Sequence, residues 1–374
     1  MKRLVVCCDG TWNAPEKLDP AVRRSSNVLK LSRAILPSDK QNVVQSVEYV
    51  RGIGTGNLLD RVVGGASGKG ISSNILQAYQ FISNNFERGD HIYLFGFSRG
   101  AYTARSLSGF IHYFGILLKK YQYLLPDIYD LYQRTPRAKL PEFVYGYSEK
   151  IDRDLEDKER HVIPIHFLGV WDTVGALGVP ISFTRWLLGK RIGFHDTELA
   201  WNVDYAYHAL AIHEYRKHFP PALWTAKRPG QTVEQVWFPG AHSDVGGGLP
   251  ENGHSNAALL WMAGRASNVG LEMDMKVLDG DHFEPNPLAA VDKSRKGIYK
   301  VFKPYKRPIG LHYCDGSKPQ SLDEFRHACV IDRLNKMPSV VGGSRLDYEI
   351  EVDHRSTLLP PAAGPDYIAG GRWS

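Results

Sequence analysis

Cysteine is scarce in this chain, and long apolar runs are missing. The four cysteines among 374 residues are Cys7, Cys8, Cys314 and Cys329. No two of them stand as Cys-x-x-Cys, so neither a zinc module nor a dithiol redox motif is indicated. Cys7 and Cys8 are neighbours in a short apolar run. On a strand their side chains point to opposite faces and do not pair with each other. A reduced, cytoplasmic chain is the expectation. No stretch reaches the roughly eighteen apolar residues of a membrane span. The N-terminal MKRLVVCCDGTWN ends its apolar run at Asp9, too soon for a secretory leader. A soluble protein is expected, with any export using a route that needs no signal peptide.

One-sided charge is missing too. Lys and Arg total 46 against 40 Asp and Glu, a formal net charge of +6. Nucleic-acid binders concentrate basic residues far more, so no nucleic-acid partner is expected. The mild excess still suits an anionic surface or substrate. The densest basic and aromatic stretch, KVFKPYKR from Lys300 to Arg307, reads as a solvated edge.

The remaining composition, 43% hydrophobic with 36 glycines, is that of an ordinary globular chain with ample core material. Leu4 to Cys8, Val43 to Val50, His91 to Phe97, His161 to Val170 and Val233 to Phe238 read as strands. Helices are expected over Ile71 to Phe86, Ala101 to Phe114, about Tyr205 to Tyr215, and Asn256 to Val269. Apolar strands alternating with helices indicate an α/β fold, with a mostly parallel sheet covered on both faces. One catalytic domain over 1–359 is expected, carrying insertions near 121–159 and 182–194, with a loosely ordered tail at 360–374. The second insertion, SFTRWLLGKRIGF, mixes Trp186 and leucines with basic residues. That suits either a lid or peripheral membrane contact, or a surface helix docked on the core.

The strongest local signal is Gly96-Phe97-Ser98-Arg99-Gly100. It stands between an expected strand and an expected helix, the context a G-x-S-x-G nucleophile elbow requires. Ser98 is the candidate nucleophile. The Arg99 amide, at the start of the following helix, is a candidate oxyanion donor. The second donor should come from the loop after an earlier strand; Asp9-Gly10-Thr11 suits it, with the Gly10 or Thr11 amide donating. Asp9 itself can instead order that loop as a turn-former.

A serine hydroxyl needs a base, and the base needs an orienting carboxylate, in the chain order serine, acid, histidine. Asp172, in Val170-Trp171-Asp172-Thr173, and Asp244, in His242-Ser243-Asp244-Val245-Gly246, both follow strand ends. Asp244 is preferred because it follows the later strand. His327, ahead of a final helix, is then the preferred base. His354 is its rival, and His242 is a third choice that precedes Asp244. Such a site calls for neither cofactor nor metal.

These motifs together resemble the catalytic domain of the type VI secretion phospholipase effectors. The matching stretches are CDGTWN (8–13), YVRGIGTG (49–56), GDHIYLFGFSRGAYTARSLSGFI (89–111), FLGVWDTVGALG (167–178), HALAIHEYRKHFPPALW (208–224) and WFPGAHSDVGGG (237–248). The resemblance implies an α/β-hydrolase fold, a Ser-Asp-His triad and action on lipid esters. Ser98 carries over onto the motif GFSRG, while Asp172 and Asp244 both match family aspartates. The chain departs from the family at His213, where an acid is common. It departs again at His327-Ala328-Cys329-Val330, with cysteine where the family tends to have serine. The family also tends to carry additional membrane-docking regions. A secretion partner cannot be named from the residues.

Other readings fit less well. Aspartate-nucleophile phosphatases would need an aspartate at Cys7, ahead of Asp9-Gly10-Thr11. A P-loop at 63–70 would need glycine at Val63 and a hydroxyl residue at Gly70. A metal-dependent phosphohydrolase built on His242, Asp244 and Asp172 lacks tight ligand spacing. A hydrolase fold that only binds is the remaining alternative.

Overall fold

A computed structural model describes residues 1–10, 25–52, 68–136, 139–140, 163–174, 199–250, 252–278, 284–295, 303–307, 309 and 324–336. The second expected insertion (182–194), the tail (360–374), Thr11, His354 and most of 137–162 lie outside these residues.

The described strands are β1 (Arg3–Cys8), β2 (Gln45–Val50), β3 (His91–Phe97), β4 (Ile165–Trp171), β5 (Val203–Ala211), β6 (Thr232–Phe238) and β7 (Glu324–Arg326). They form one seven-stranded sheet in the order β2-β1-β3-β4-β5-β6-β7. All six pairings are parallel, so the C-terminal ends of the strands share one edge. The chain steps outward from β1 to β2, then crosses back to β3 and proceeds the other way. The strand order reverses between β1 and β3, and the C-terminal edge at such a reversal is the usual place for a site in parallel sheets.

Strand alternation sends side chains into two separate cores. Leu4, Val6 and Cys8 of β1 join Ile92 and Leu94 of β3 on one face. Helices α2 (Gly68–Asn85), α3 (Arg99–Phe114) and α4 (Leu125–Arg134) cover it with Ile75, Tyr79, Leu107, Phe110 and Ile128. Val5, Cys7, Tyr93, Phe95 and Phe97 face the other way, under α1 (Asn27–Ala34), α6 (Gly253–Asn268) and α7 (Ala328–Lys336), which bury Val28, Leu31, Trp261 and Cys329 there. Cys7 and Cys8 therefore lie in different cores, as adjacent strand residues must. This is an α/β-hydrolase-like arrangement. Among the described residues no helix is long and apolar enough to cross a membrane.

The segment Tyr205 to Tyr215 departs from expectation: it is strand β5 followed by a turn, not a helix. Its alanines favour a helix locally, but β5 pairs with β4 on one side and β6 on the other. Ala206 faces one core while Tyr207, Ala209 and Ala211 face the other. Burial on both faces of a central strand overrides intrinsic propensity. Within the first expected insertion, Lys119–Leu124 forms a 3₁₀ turn and α4 follows, docking Leu125, Ile128 and Tyr129 onto the sheet's helical cover.

Candidate active site

Ser98 stands where β3 ends and α3 begins. Its amide donates to Trp171 O at 3.1 Å, extending the sheet ladder, and its carbonyl accepts from Tyr102 N at 3.2 Å, starting the helix. One residue serves both elements only by adopting φ 57° and ψ −120°. A non-glycine residue pays about 1–3 kcal/mol for such a conformation. Leu107, Phe110, Ile111 and Phe114 of α3 are all fully buried. At about 1.5–3 kcal/mol each, their burial outweighs the strain and holds the turn.

The flanking glycines are required by contact. A Cβ on Gly96 would lie 2.4 Å from Gly100 O, and one on Gly100 would lie 2.1 Å from Cys8 O. Strand, turn and helix thus close onto the end of β1 with no room for a methyl group.

The hydroxyl of Ser98 lies 2.9 Å from His242 Nε2. His242 opens the short helix α5 (His242–Gly246), reached from β6 through Pro239-Gly240-Ala241. Its Nδ1 lies 2.6 Å from Asp172 Oδ2. Asp172 caps β4 in the left-handed region, at φ 38°. Its amide donates to Ala209 O at 2.7 Å, and its Oδ1 accepts from Ala211 N at 3.0 Å. Ser98 and His242 retain only 7% and 6% exposure, and Asp172 has none.

Arg307 lies against the same carboxylate, with Nη1 2.5 Å from Oδ1 and Nη2 3.0 Å from Oδ2. Burial alone would push the Asp172 carboxyl up. The Arg307 charge, with hydrogen bonds from His242 and Arg307, outweighs it and holds the group well below the usual carboxylate range. An ionised Asp172 can only accept, so His242 Nδ1 carries the proton and donates. Nε2 is then left to accept from the Ser98 hydroxyl. The geometry thus sets the imidazole tautomer that a general base requires.

Around the imidazole the walls are aromatic. Phe97 lies 4.7 Å from the His242 ring, and Phe219 meets it edge-on at 5.3 Å. A Cβ on Gly246 would fall 1.9 Å from Phe97 Cε2, so Gly246 makes room for that ring. Arg216 stacks on Phe219 at 3.6 Å and pairs with the buried Glu214 at 2.7 Å. Glu214 Oε2 in turn lies 3.4 Å from His242 N.

The preferred pair from the sequence is placed otherwise. Asp244 Oδ2 accepts from Ala241 N at 2.8 Å and Asp292 N at 2.9 Å. It secures the backbone that carries His242, and burial pushes its carboxyl up to about 6. His327 lies at the end of β7. Its ring stacks on Phe238 at 4.5 Å, its Nδ1 is 2.9 Å from Cys329 Sγ, and its amide donates to Trp237 O. The histidine and aspartate beside Ser98 are therefore His242 and Asp172, the alternates. The order serine, acid, histidine still holds; His242 breaks it only if Asp244 is the acid.

His213 also supports this loop. Its amide donates to Gly240 O at 2.9 Å, and its Nδ1 accepts from Gly240 N at 2.8 Å. Burial, with the Arg333 and His254 charges, lowers its pKa to about 3 and keeps that nitrogen an acceptor. Asp9 anchors the first loop: its Oδ1 accepts from Gly10 N at 2.6 Å, and its Oδ2 accepts from Ser26 Oγ and from the Tyr49 hydroxyl. The Gly10 amide thus points at Asp9, while Arg99 N begins α3 beside Ser98.

Sequence reasoning passed over Arg307 altogether. The stretch read as a solvated edge does expose Lys303 and Lys306, but Arg307 within it is buried. Glu214 had a signal, since it lies in AIHEYR beside His213.

The family model for the T6SS phospholipase effector Tle1-like catalytic domain matches residues 2–265. The chain belongs to that family. An uncharacterized protein of Saccharomyces cerevisiae is 28% identical in a match 249 residues long that covers 60% of this chain and 33% of that protein. The chain thus spans about a third of the length of that curated relative. Similar solved structures include the following two. The Tle1 effector bound to the VgrG spike of the type 6 secretion system gives a TM-score of 0.46 at 15% identity, over 95% of this chain and 84% of that one. An uncharacterized protein from Pseudomonas aeruginosa gives 0.43 at 18%, over 76% and 49%.

Proposed function

We propose that this domain is a serine hydrolase of carboxylic esters in phospholipids or other lipids, acting through Ser98, His242 and Asp172. The observation that carries the proposal is the unbroken relay from Ser98 Oγ through the imidazole to a buried, ionised aspartate.

In this reading His242 Nε2 takes the hydroxyl proton as Ser98 Oγ bonds to the acyl carbon. The tetrahedral oxyanion develops at the N-terminus of α3, where the Arg99 amide can donate. Collapse breaks the ester C–O bond, and His242 hands its proton to the departing alkoxide. Water then enters by the reverse proton route and releases the carboxylic acid from the acyl-enzyme. Asp172 remains ionised throughout and holds the imidazole. General-base assistance of this kind contributes about 10²–10⁴-fold.

Family membership favours a phospholipid as the first substrate to test and a component of a type VI secretion system as the first partner. The excess of basic residues suits an anionic lipid surface.

The test is hydrolysis of p-nitrophenyl esters and of phospholipid vesicles by wild type and Ser98→Ala. Loss of activity in a folded Ser98→Ala supports the mechanism, and the preferred substrate separates lipase from esterase. Activity surviving in Ser98→Ala overturns it, and inactivity of both on every ester leaves a binding role in front.

A further inference from the structure

The segment bearing Arg307 lies outside the matched family region, which ends at residue 265. It is nonetheless fastened to the site on both sides of Arg307. Tyr305 N donates to Tyr215 O at 2.9 Å, and Ile309 is buried against Leu210, Ile212 and Trp237. Between these anchors the guanidinium turns inward, with its side chain fully buried.

Its hydrogen bonds define a task. Besides the two contacts to Asp172, Nη1 donates to Ala211 O at 2.9 Å and Nη2 donates to Phe219 O at 2.8 Å. Ala211 ends β5 and supplies the amide that also binds Asp172 Oδ1. Phe219 is the ring that meets His242 edge-on. One planar fork therefore ties the carboxylate to two backbone segments that frame the imidazole. An ammonium on a flexible stem cannot reproduce that fixed geometry.

We propose that Arg307 is a positioning residue for the reaction: it fixes the rotation of the Asp172 carboxylate and so aims His242 at Ser98. The proposal rests on the serine mechanism proposed above. A structural ion pair elsewhere in the fold would need only the charge. Here both oxygens are engaged from one side, which leaves the Oδ2 edge directed at Nδ1 as the orientation available to the ring.

The charged and titratable groups facing this pair are His242, Arg307, His208, Glu214 and, farther out, Arg105. His208 accepts from Thr173 N at 3.1 Å and is held neutral by burial and by the Arg105 charge. Glu214 is paired with Arg216. Arg307 is thus the direct counter-charge of Asp172. Without it, burial is opposed by less charge and the Asp172 carboxylate takes up a proton at higher pH.

The experiment compares wild type, Arg307→Met, Arg307→Lys and Ser98→Ala on p-nitrophenyl butyrate. Rates of wild type and the Arg307 variants are normalised to active sites titrated with a fluorophosphonate, that of Ser98→Ala to folded protein, and all are followed from acid to neutral pH. Arg307→Met is expected to lose about 100-fold in kcat at nearly unchanged KM. The acid limb of its profile should move up by about 1 pH unit or more. Arg307→Lys should keep the acid limb and show an intermediate kcat. A loss that disappears on normalisation to active sites, with the acid limb unmoved, makes Arg307 structural only and overturns the proposal. Where Arg307→Met does not fold, Arg307→Lys decides: wild-type kcat per active site overturns it as well. Activity in Ser98→Ala marks failure of the serine reading itself and removes the basis for a positioning role.

Discussion

Gly100 packs its bare Cα against the carbonyl of Cys8, so closely that an added Cβ would lie 2.1 Å away, with Asp9 O at 2.6 Å. Both neighbours are backbone, and the end of β1 is held by its ladders to β2 and β3. Neither partner can move without disturbing the centre of the sheet. Gly100→Ala should therefore push α3 away from β1 and take Ser98 out of line with His242. A destabilisation of about 1–3 kcal/mol is expected from such overpacking. Fluorophosphonate labelling of the folded fraction should be lost with it. Thermal unfolding and labelling measured on the same sample check this; wild-type labelling would show that the elbow tolerates the methyl.

The two aspartates of the site should answer to different assays. Asp172→Asn removes the charge and, because Arg307 Nη1 and Ala211 N hold the amide oxygen at the Oδ1 position, puts an amide NH₂ where Oδ2 accepts from His242 Nδ1. A loss of about 10⁴-fold in kcat is expected, by analogy with the orienting aspartate of the serine-protease triad. Asp244→Asn leaves an amide oxygen able to accept from Ala241 N and Asp292 N, so most activity should remain. The reverse pattern would return the acid role to Asp244.

Stability against pH separates them again. The folded-state pKa of Asp244, about 6, lies above its ordinary value of 3.8. The native state then binds the extra proton, so the contribution of Asp244 to stability is present at low pH and declines as pH rises from about 4 to about 6. The full decline is about 3 kcal/mol. Asp172 is depressed, so its contribution is present above about pH 4 and is lost only as strong acid protonates it. Denaturant unfolding of Asp244→Asn should lack the wild-type decline between pH 4 and 6. An unchanged slope would show that Asp244 is not the group responsible.

The two histidines make a parallel test. His242→Ala removes the base from Ser98 and should abolish ester hydrolysis in a folded protein. His327→Ala should lower stability, because the ring is buried against Phe238 and beside Cys329. Its kcat per titrated active site should stay near wild type. A collapse of kcat in His327→Ala at full active-site titre would put the base back at the end of β7.

What could be read from the sequence was local. The strand, turn and helix around Ser98 are adjacent in the chain, and the glycines two residues to either side record the crowding directly. The choice of acid and base was not local. His242 and Asp172 are 70 residues apart, and they meet because β4 and β6 flank β5 in a parallel sheet. Both aspartates follow strand ends on the same edge of the sheet, so strand position alone did not separate Asp172 from Asp244. Asp244, two residues from His242, then looked like the competing acid rather than the clamp on its loop. Arg307 was hidden by its neighbours, because a stretch with exposed lysines averages to a solvated edge even when one member turns inward.

The strain at Ser98 leads to a last expectation. At φ 57° and ψ −120° the residue occupies a region that glycine enters freely. Ser98→Ala removes the nucleophile but keeps the Cβ, and with it the strain. Ser98→Gly removes both. Relief of about 1–3 kcal/mol is offset by about 0.5–1 kcal/mol from the greater chain entropy of unfolded glycine. Ser98→Gly should therefore be inactive yet more stable than Ser98→Ala, by about 1 kcal/mol on these figures. Chemical denaturation of the two variants side by side measures the difference. Equal stability, or a less stable glycine variant, would mean that the elbow holds Ser98 without storing strain.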